Sequence, residues 1–370
     1  MKFVFFNNRL LFLVTVVLIV VGIFIYLNKG KNVSELVKQP SDNPALNLED
    51  EGGLDEEIHP LSIEALRKGE YPGSDIFVEQ TLSSGSNYKR YITSYKSEGL
   101  KIYGLLTVPN GTSPEGGWPV IIFNHGYISP SIYKTTEKYI AYQDALALAG
   151  YTTFKSDYRG HGNSEGNATG GYGSNAYTID VLNAVSSIKR LKNPENPSTP
   201  VDRSGLIVDA DRIGMWGHSM GGSITLKSMV TTKDIKAGVI WAGVVGSYPD
   251  LIERWRRRSG PTPTISTNSQ RGRWRRELVD KYGDPSQNPQ FWNSISANSY
   301  LSDISGPLQL HHGTLDASVP IEFSRTLEKQ MTDVNKAVEL YEYTGDDHNL
   351  SKNLSLALSR SVDFFDQYLK

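Results

Sequence analysis

The chain has 370 residues, enough for one large α/β domain or two small ones, and with 38% hydrophobic and 21% charged residues it can bury a core. Its formal net charge of -2 gives no reason to expect nucleic acid or another polyanion as a partner. The absence of cysteine excludes disulfides, a thiol nucleophile and cysteine metal ligands. No cluster of histidines or carboxylates has the spacing of a metal site, so we expect no metal and no cofactor.

The N-terminal part differs from the rest of the chain. After a short segment at 1–9, residues 10–27 (LLFLVTVVLIVVGIFIYL) carry no charge and match the length of a bilayer-spanning helix. No small-residue cleavage site follows, so we interpret the run as a transmembrane signal-anchor rather than a cleaved signal peptide. Residues 28–61 are polar and acidic and predict a flexible stalk. We therefore expect a single-pass membrane protein with its globular domain, 62–370, on the extracytoplasmic side.

Residues 62–370 predict an α/β fold. A short helix is expected within Ser62–Tyr71, and the first strands at 76–82, 88–95 and 99–109 look antiparallel. From Trp118 onwards, buried runs of strand length alternate with helical spacing, as at Tyr133–Ala149. These runs are PVIIFNHG, YTTFKSDYRGHG, 212–217, 237–242, 308–312 and 337–343. Such strands separated by helices predict a mostly parallel sheet that is covered on both faces, with antiparallel strands at one side.

One connection is longer than the others. Residues 246–300 contain the runs ERWRRR and RGRWRRE together with several prolines and serines. Connections of this length are usually functional lids or disordered segments, and here the tryptophans favour a packed cap. We interpret the arginine runs first as solvated faces that could lie near anionic headgroups. The alternative is that Arg254, Arg256 or Arg273 attracts a carboxylate-bearing substrate.

The segment Gly-His-Ser-Met-Gly-Gly at 217–222 lies between an apolar strand and a helical pattern. A sharp turn there would force Ser219 into a strained conformation and raise its hydroxyl above the sheet. Gly217 and Gly221 leave room for the neighbouring strand and helix, where side chains would collide. This is the nucleophile elbow, Gly-x-Ser-x-Gly, and it predicts that Ser219 is a nucleophile.

A serine nucleophile needs a histidine base, and the order in this architecture is nucleophile, acid, base. Of the seven histidines, only His348 follows both the serine and a plausible acid, on a loop after the last strand. Asp316 follows a strand end in LQLHHGTLDASVP and is the predicted acid, which would orient the imidazole. Asp250 and Asp303 are weaker candidates.

The tetrahedral intermediate of such a reaction needs two hydrogen-bond donors for its oxyanion. We expect the first from the N–H of Met220, which follows the nucleophile, and the second from the N–H of Tyr127 in the NHGY loop. His125 in that loop is interpreted as structural.

Together, the motifs GHSMGG, NHGY, SDYRGHGNSEG, HGTLDASVP and GDDHNLS resemble the α/β-hydrolase superfamily. More narrowly, with KSEGLKIYGLLTVP ahead of them, they are similar to the catalytic domain of the prolyl-oligopeptidase family (peptidase family S9). The resemblance covers residues 76–370 and implies that Ser219, Asp316 and His348 form a triad. The chain departs from the family in two ways: its N-terminal part is too short for the family's β-propeller, and Tyr127 replaces the second glycine of the HGG loop.

The sequence therefore predicts a membrane-anchored serine hydrolase that cleaves peptide, amide or ester bonds through an acyl-enzyme on Ser219. The expected substrates are small esters or short peptides. A carboxylesterase or deacylase and an acyltransferase are the alternatives within the same chemistry. A non-catalytic binding protein on a hydrolase fold is the alternative from another class.

Overall fold

The computed structural model describes residues 58–192, 207–255 and 270–370. The predicted anchor at 10–27 lies outside the described residues, as does the predicted stalk up to residue 57. Within the described part of the chain, no helix is long and apolar enough to cross a bilayer. The last residues of the predicted stalk pack on the domain: Leu61 is buried, and His59 Nε2 lies 2.6 Å from the Tyr282 hydroxyl.

Nine strands of the described residues form one sheet in the order β1-β2-β3-β5-β4-β6-β7-β8-β9. The strands are β1 (Phe77–Leu82), β2 (Tyr88–Ser97), β3 (Leu100–Pro109), β4 (Trp118–Asn124), β5 (Thr152–Ser156), β6 (Val208–His218), β7 (Ile235–Trp241), β8 (Leu308–Gly313) and β9 (Val338–Tyr343). The pairs from β1 to β5 along this order are antiparallel, and all the others are parallel. The predicted mostly parallel sheet with antiparallel strands at one side is confirmed.

Helices cover both faces of the sheet. They are α1 (Ile63–Lys68), α2 (Ile140–Leu148), α3 (Ala176–Lys189), α4 (Met220–Thr231), α5 (Tyr248–Glu253), α6 (Gln270–Tyr282), α7 (Pro289–Ser294), α8 (Glu322–Asp333) and α9 (Leu354–Leu369). Side chains alternate along the central strands: Val120 and Ile122 belong to the core under α3 and α4, whereas Ile121 and Phe123 belong to the core under α9. Each central strand is therefore buried on both faces, which explains its continuous apolar sequence.

The predicted cap contains helices α5, α6 and α7, followed by a 3-10 turn at Ala297–Asp303. Its tryptophans Trp255, Trp274 and Trp292 are all buried. They pack with Tyr248 of α5 and with Tyr172 from a neighbouring loop. The described part of the insertion is thus held by aromatic contacts.

The helix predicted within Tyr133–Ala149 begins only at Ile140. The preceding residues turn through the left-handed region, with φ of 60° at Lys138 and 56° at Tyr139. This conformation is unfavourable for residues other than glycine. Polar contacts compete with the helix here: the hydroxyls of Tyr133 and Thr135 both donate to the buried carboxylate of Asp157. Helical spacing alone therefore overestimated the length of α2.

Lys227 on α4 is buried, and its ammonium donates to Asn175 Oδ1 at 2.9 Å and to the Tyr248 hydroxyl at 3.3 Å. No carboxylate among the described residues forms an ion pair with it. Burial lowers the pKa of Lys227 from 10.5 to about 8. The folded protein therefore binds this proton less tightly than the unfolded chain.

Between these two pKa values the unfolded chain binds more protons, so the Lys227 contribution to stability rises with pH. We expect this contribution to increase by about 3 kcal/mol between pH 8 and pH 10.5. Urea unfolding over this range should show the increase in the wild type and its loss in Lys227→Met. The exposed Lys236→Met is the control and should keep the wild-type slope. Parallel curves for wild type and Lys227→Met would contradict the assignment.

Candidate active site

The predicted site lies at the carboxyl edge of the parallel strands. Ser219 follows β6 directly, Asp316 follows β8 and His348 follows β9. Because β6, β7, β8 and β9 run parallel, the loops after them meet at one edge of the sheet. The fold thus brings together three residues that are widely separated in the sequence.

Ser219 occupies a strained turn between β6 and α4, with φ 55° and ψ -117°. Its backbone is fixed to the segment at β7, since its N–H donates to Trp241 O and its carbonyl accepts from Val244 N, both at 3.0 Å. A Cβ at Gly217 would collide with the Gly221 carbonyl, and one at Gly221 would collide with the Asn124 carbonyl. Both glycines therefore permit the close strand–helix approach on which this turn depends.

His348 Nδ1 lies 2.7 Å from Asp316 Oδ2. An ionised carboxylate only accepts hydrogen bonds, so Nδ1 carries the proton and Nε2 keeps its lone pair. In this tautomer the second nitrogen of the ring is able to act as a base. The His348 side chain is 20% exposed, whereas the Asp316 side chain is completely buried.

Asp316 is surrounded by donors. Its Oδ1 accepts from the backbone N–H groups of Ser318 at 2.7 Å and Val319 at 3.0 Å, and its Oδ2 lies 3.2 Å from His312 Nε2. Burial alone would raise the pKa of Asp316, but hydrogen bonds from His312 and His348 outweigh it and hold this pKa below its ordinary value. The carboxylate therefore stays ionised beside the imidazole. No role for His312 was apparent from the sequence.

His218, the residue that precedes Ser219, contacts His348. The His218 and His348 rings lie 4.7 Å apart, and His218 Nε2 lies 2.9 Å from the His348 carbonyl oxygen. The hydrogen bonds formed by the described residues include none between the Ser219 hydroxyl and His348. In hydrolases without substrate this bond is often long and forms fully only in the reacting complex.

The predicted oxyanion loop lies against the nucleophile. A Cβ at Gly126 would stand 3.1 Å from Ser219 Cβ, so the backbone beside Tyr127 is in contact with the elbow. Met220 is the first residue of α4, and an N–H in the first turn has no partner inside its helix. Tyr127 is 61% exposed.

A hydrogen-bonded chain joins the oxyanion loop to the His348 loop. Gly126 N donates to the Tyr139 hydroxyl at 2.9 Å, and this hydroxyl lies 2.7 Å from His218 Nδ1. At the other side of its ring, His218 contacts the His348 carbonyl. We call Gly126, Tyr139, His218 and His348 the loop relay. The loop relay was not predictable from the sequence, because only the left-handed turn at Tyr139 directs this side chain to the site.

The atoms of the loop relay that carry hydrogen can be assigned from the donors and acceptors that it contains. Burial, together with the nearby His348, lowers the pKa of His218 to about 3, so its ring is neutral. A carbonyl only accepts, so His218 Nε2 carries the hydrogen and Nδ1 is the acceptor. Tyr139 therefore donates to His218 and accepts from Gly126, and both ring nitrogens of His218 are paired.

The remaining predicted residues lie as follows. His125 is completely buried and stacks on Tyr158, with ring centroids 4.3 Å apart, and burial lowers its pKa to about 3. Arg254 is exposed and pairs with Asp250 at 3.1 Å. Arg273 is exposed, and Arg256 lies outside the described residues. Among the residues that the structure describes, no group of three or more acidic or histidine side chains is arranged to hold a metal ion.

We expect Tyr139→Phe to slow ester hydrolysis, because it leaves Gly126 N–H and His218 Nδ1 without a partner. A buried group left unpaired costs about 1–3 kcal/mol, which corresponds to a kcat roughly 10-fold lower if both loops lose their positions. KM should change by less than about threefold, since the relay acts on the reacting groups rather than on substrate binding.

Tyr151→Phe is the matched control. The Tyr151 hydroxyl donates at 2.6 Å to Asp366, which lies on α9 and does not belong to the loop relay. The two variants are compared by steady-state kinetics and by thermal melting. Equal effects of the two substitutions on kcat would show that the relay has no special role.

Comparisons with known proteins find similar sequences and similar folds. Residues 119–276 match the family model "Serine aminopeptidase, S33", and residues 258–370 match the model "Prolyl oligopeptidase family". An uncharacterized peptidase, YtmA, from Bacillus subtilis is 24% identical over 71% of this chain and 87% of its own length. A putative esterase, YitV, from the same organism is 27% identical over 68% of this chain and 89% of its own length.

Solved structures show the same fold. Acylaminoacyl peptidase from Pyrococcus horikoshii superposes with a TM-score of 0.57 at 22% identity, over 77% of this chain but only 42% of the peptidase. Acetyl xylan esterase from Paenibacillus sp. R4 also gives a TM-score of 0.57, at 17% identity, over 83% of this chain and 92% of the esterase. These findings support a serine hydrolase with a catalytic domain similar to the α/β-hydrolase domain of the prolyl-oligopeptidase family, and the described residues form no β-propeller.

Proposed function

We propose that this protein hydrolyses small esters or short peptides through an acyl-enzyme on Ser219. His348 Nε2 takes the proton of the Ser219 hydroxyl as the oxygen attacks the scissile carbonyl, and then gives it to the leaving group. Asp316 holds the imidazole in the required tautomer and stabilises its positive charge. Water then attacks the acyl-enzyme by the same route and releases the acid.

The developing oxyanion would be bound by the N–H groups of Met220 and Tyr127. Both belong to backbone that is fixed in advance, since α4 begins at Met220 and the loop relay holds Gly126. Donors that need no rearrangement stabilise the transition state at little cost. Replacement of the usual glycine by Tyr127 keeps a backbone N–H at this position.

The observation that carries the proposal is the coincidence of the strained turn at Ser219 with the hydrogen-bonded Asp316–His348 pair at one sheet edge. A strained backbone persists only where the surrounding structure imposes it, and such residues concentrate at active sites. A non-catalytic protein would have no reason to keep both features.

Ester and peptide substrates are both compatible with this site. The relatives include peptidases and esterases. In addition, the described residues form no β-propeller, which is the element that filters substrates by size in the full-length peptidases of the family. A carboxylesterase or deacylase is therefore the second candidate. Turnover of p-nitrophenyl esters against aminoacyl-p-nitroanilides distinguishes it from a peptidase, and product analysis with an added alcohol or amine detects acyl transfer.

Ser219→Ala tests the nucleophile directly. We expect it to abolish labelling by a fluorophosphonate probe and to lower kcat by roughly six orders of magnitude, because the covalent route is lost. The exposed Ser84→Ala is the control and should keep full labelling. Undiminished labelling of Ser219→Ala would refute the assignment.

We also propose that residues 10–27 anchor the chain in a membrane, with the catalytic domain extracytoplasmic. The support is their uncharged sequence and length. The full chain should remain in the membrane pellet after alkaline carbonate extraction, and protease added outside intact cells should cleave the domain. Release of the full chain into the carbonate supernatant would contradict the anchor.

A further inference from the structure

Helix α6 of the cap holds two buried donors that the fold leaves unsatisfied. Trp274 is 9% exposed and Arg275 is 7% exposed. Trp274 Nε1 and Arg275 Nε are both buried without a hydrogen-bond partner. Buried polar groups are nearly always paired in native structures, so two adjacent orphaned donors require an explanation.

Arg275 also lacks a counter-ion among the described residues. Its Nη2 donates to Trp255 O at 3.3 Å, and the guanidinium lies 5.5 Å from the ring centroids of both Trp255 and Trp274. These contacts replace little of the hydration that the charge has lost. Residues 256–269, which lie in the sequence between α5 and α6, contain no aspartate or glutamate.

Lys227 shows that this neighbourhood can satisfy a buried cation. Its ammonium has two oxygen acceptors, Asn175 and Tyr248. The Tyr248 ring also lies 6.0 Å from the Trp274 ring. Both cations therefore border one aromatic cluster, which consists of Tyr172, Tyr248, Trp255 and Trp274. The missing acceptor at Arg275 is therefore specific to that residue and not a general property of the cap.

The aromatic cluster borders the active site on two sides. On the nucleophile side, the Tyr172 ring lies 5.1 Å from Trp255 and 5.8 Å from Trp274, and a Cβ at the preceding Gly171 would stand 3.9 Å from Met220 Sδ. On the acid side, Trp255 Nε1 donates to Ser318 O at 2.9 Å, and Ser318 N donates to Asp316. The cluster is thus connected to both the elbow and the Asp316 loop.

We propose that Arg275 and Trp274 form a subsite for a carboxylate carried by the substrate, a few bonds from the scissile carbonyl. This inference rests on the proposed function and specifies its substrate class. A carboxylate accepts hydrogen bonds from Arg Nε and from an indole N–H, and its charge supplies the missing counter-ion. The arginines singled out in the sequence do not meet these conditions: Arg254 is paired with Asp250, and Arg273 is exposed.

Matched ester pairs test the subsite with the full chain. On the acyl side, the p-nitrophenyl monoester of glutarate is compared with p-nitrophenyl pentanoate; on the leaving-group side, 4-acetoxybenzoate is compared with its methyl ester. The wild type should prefer the charged member of at least one pair in kcat/KM. Arg275→Gln should lower that preference by about 10- to 100-fold, as expected for a charge-assisted hydrogen bond, and Arg275→Lys should restore part of it.

The exposed neighbour Arg276→Gln is the matched control and should keep the wild-type preference. Glutarate binding to the Ser219→Ala protein, measured by calorimetry with and without Arg275→Gln, tests the subsite independently of turnover. An unchanged preference and unchanged glutarate affinity in folded Arg275→Gln would overturn the carboxylate subsite, even if Ser219 still reacts with fluorophosphonate. If the wild type did not react with the fluorophosphonate probe, that result would instead count against the proposed function.

Discussion

The hydrogen bond between His348 and Asp316 depends on the architecture of the whole sheet. The two residues follow β9 and β8, and they meet at 2.7 Å because those strands run parallel and end at the same edge. Four donors converge on the Asp316 carboxylate: His348, His312 and the N–H groups of Ser318 and Val319. They keep a completely buried carboxylate charged, and this charge fixes the tautomer of the His348 imidazole.

The parts of the site that follow from local rules were predictable from the sequence. The glycines around Ser219 are needed because the backbones of neighbouring segments approach them closely. The continuous apolar runs of the central strands reflect burial on both faces of the sheet. His348 could be predicted as the base by excluding the other histidines, because the chain contains few of them. The antiparallel strands at one side were also readable from the early alternating segments.

Other parts depend on tertiary contacts that leave no local signal. Tyr139 reaches His218 only because Lys138 and Tyr139 adopt left-handed backbone conformations, whereas the sequence there has helical spacing. His312 reads as the end of an apolar strand and shows its contact with Asp316 only in the folded loop. Arg275 lies in an arginine run that resembles a solvated face, and its burial depends on Trp255 and Trp274.

The loop relay has a consequence for how this site would tolerate sequence change. Gly126 and His348 belong to different loops, but Tyr139 and His218 connect them through one series of hydrogen bonds. Substitutions in one loop should therefore change the effect of substitutions in the other, because contacting residues in one network are not energetically independent. Epistasis between the two loops would restrict the order in which evolution, or an engineer, could remodel the enzyme.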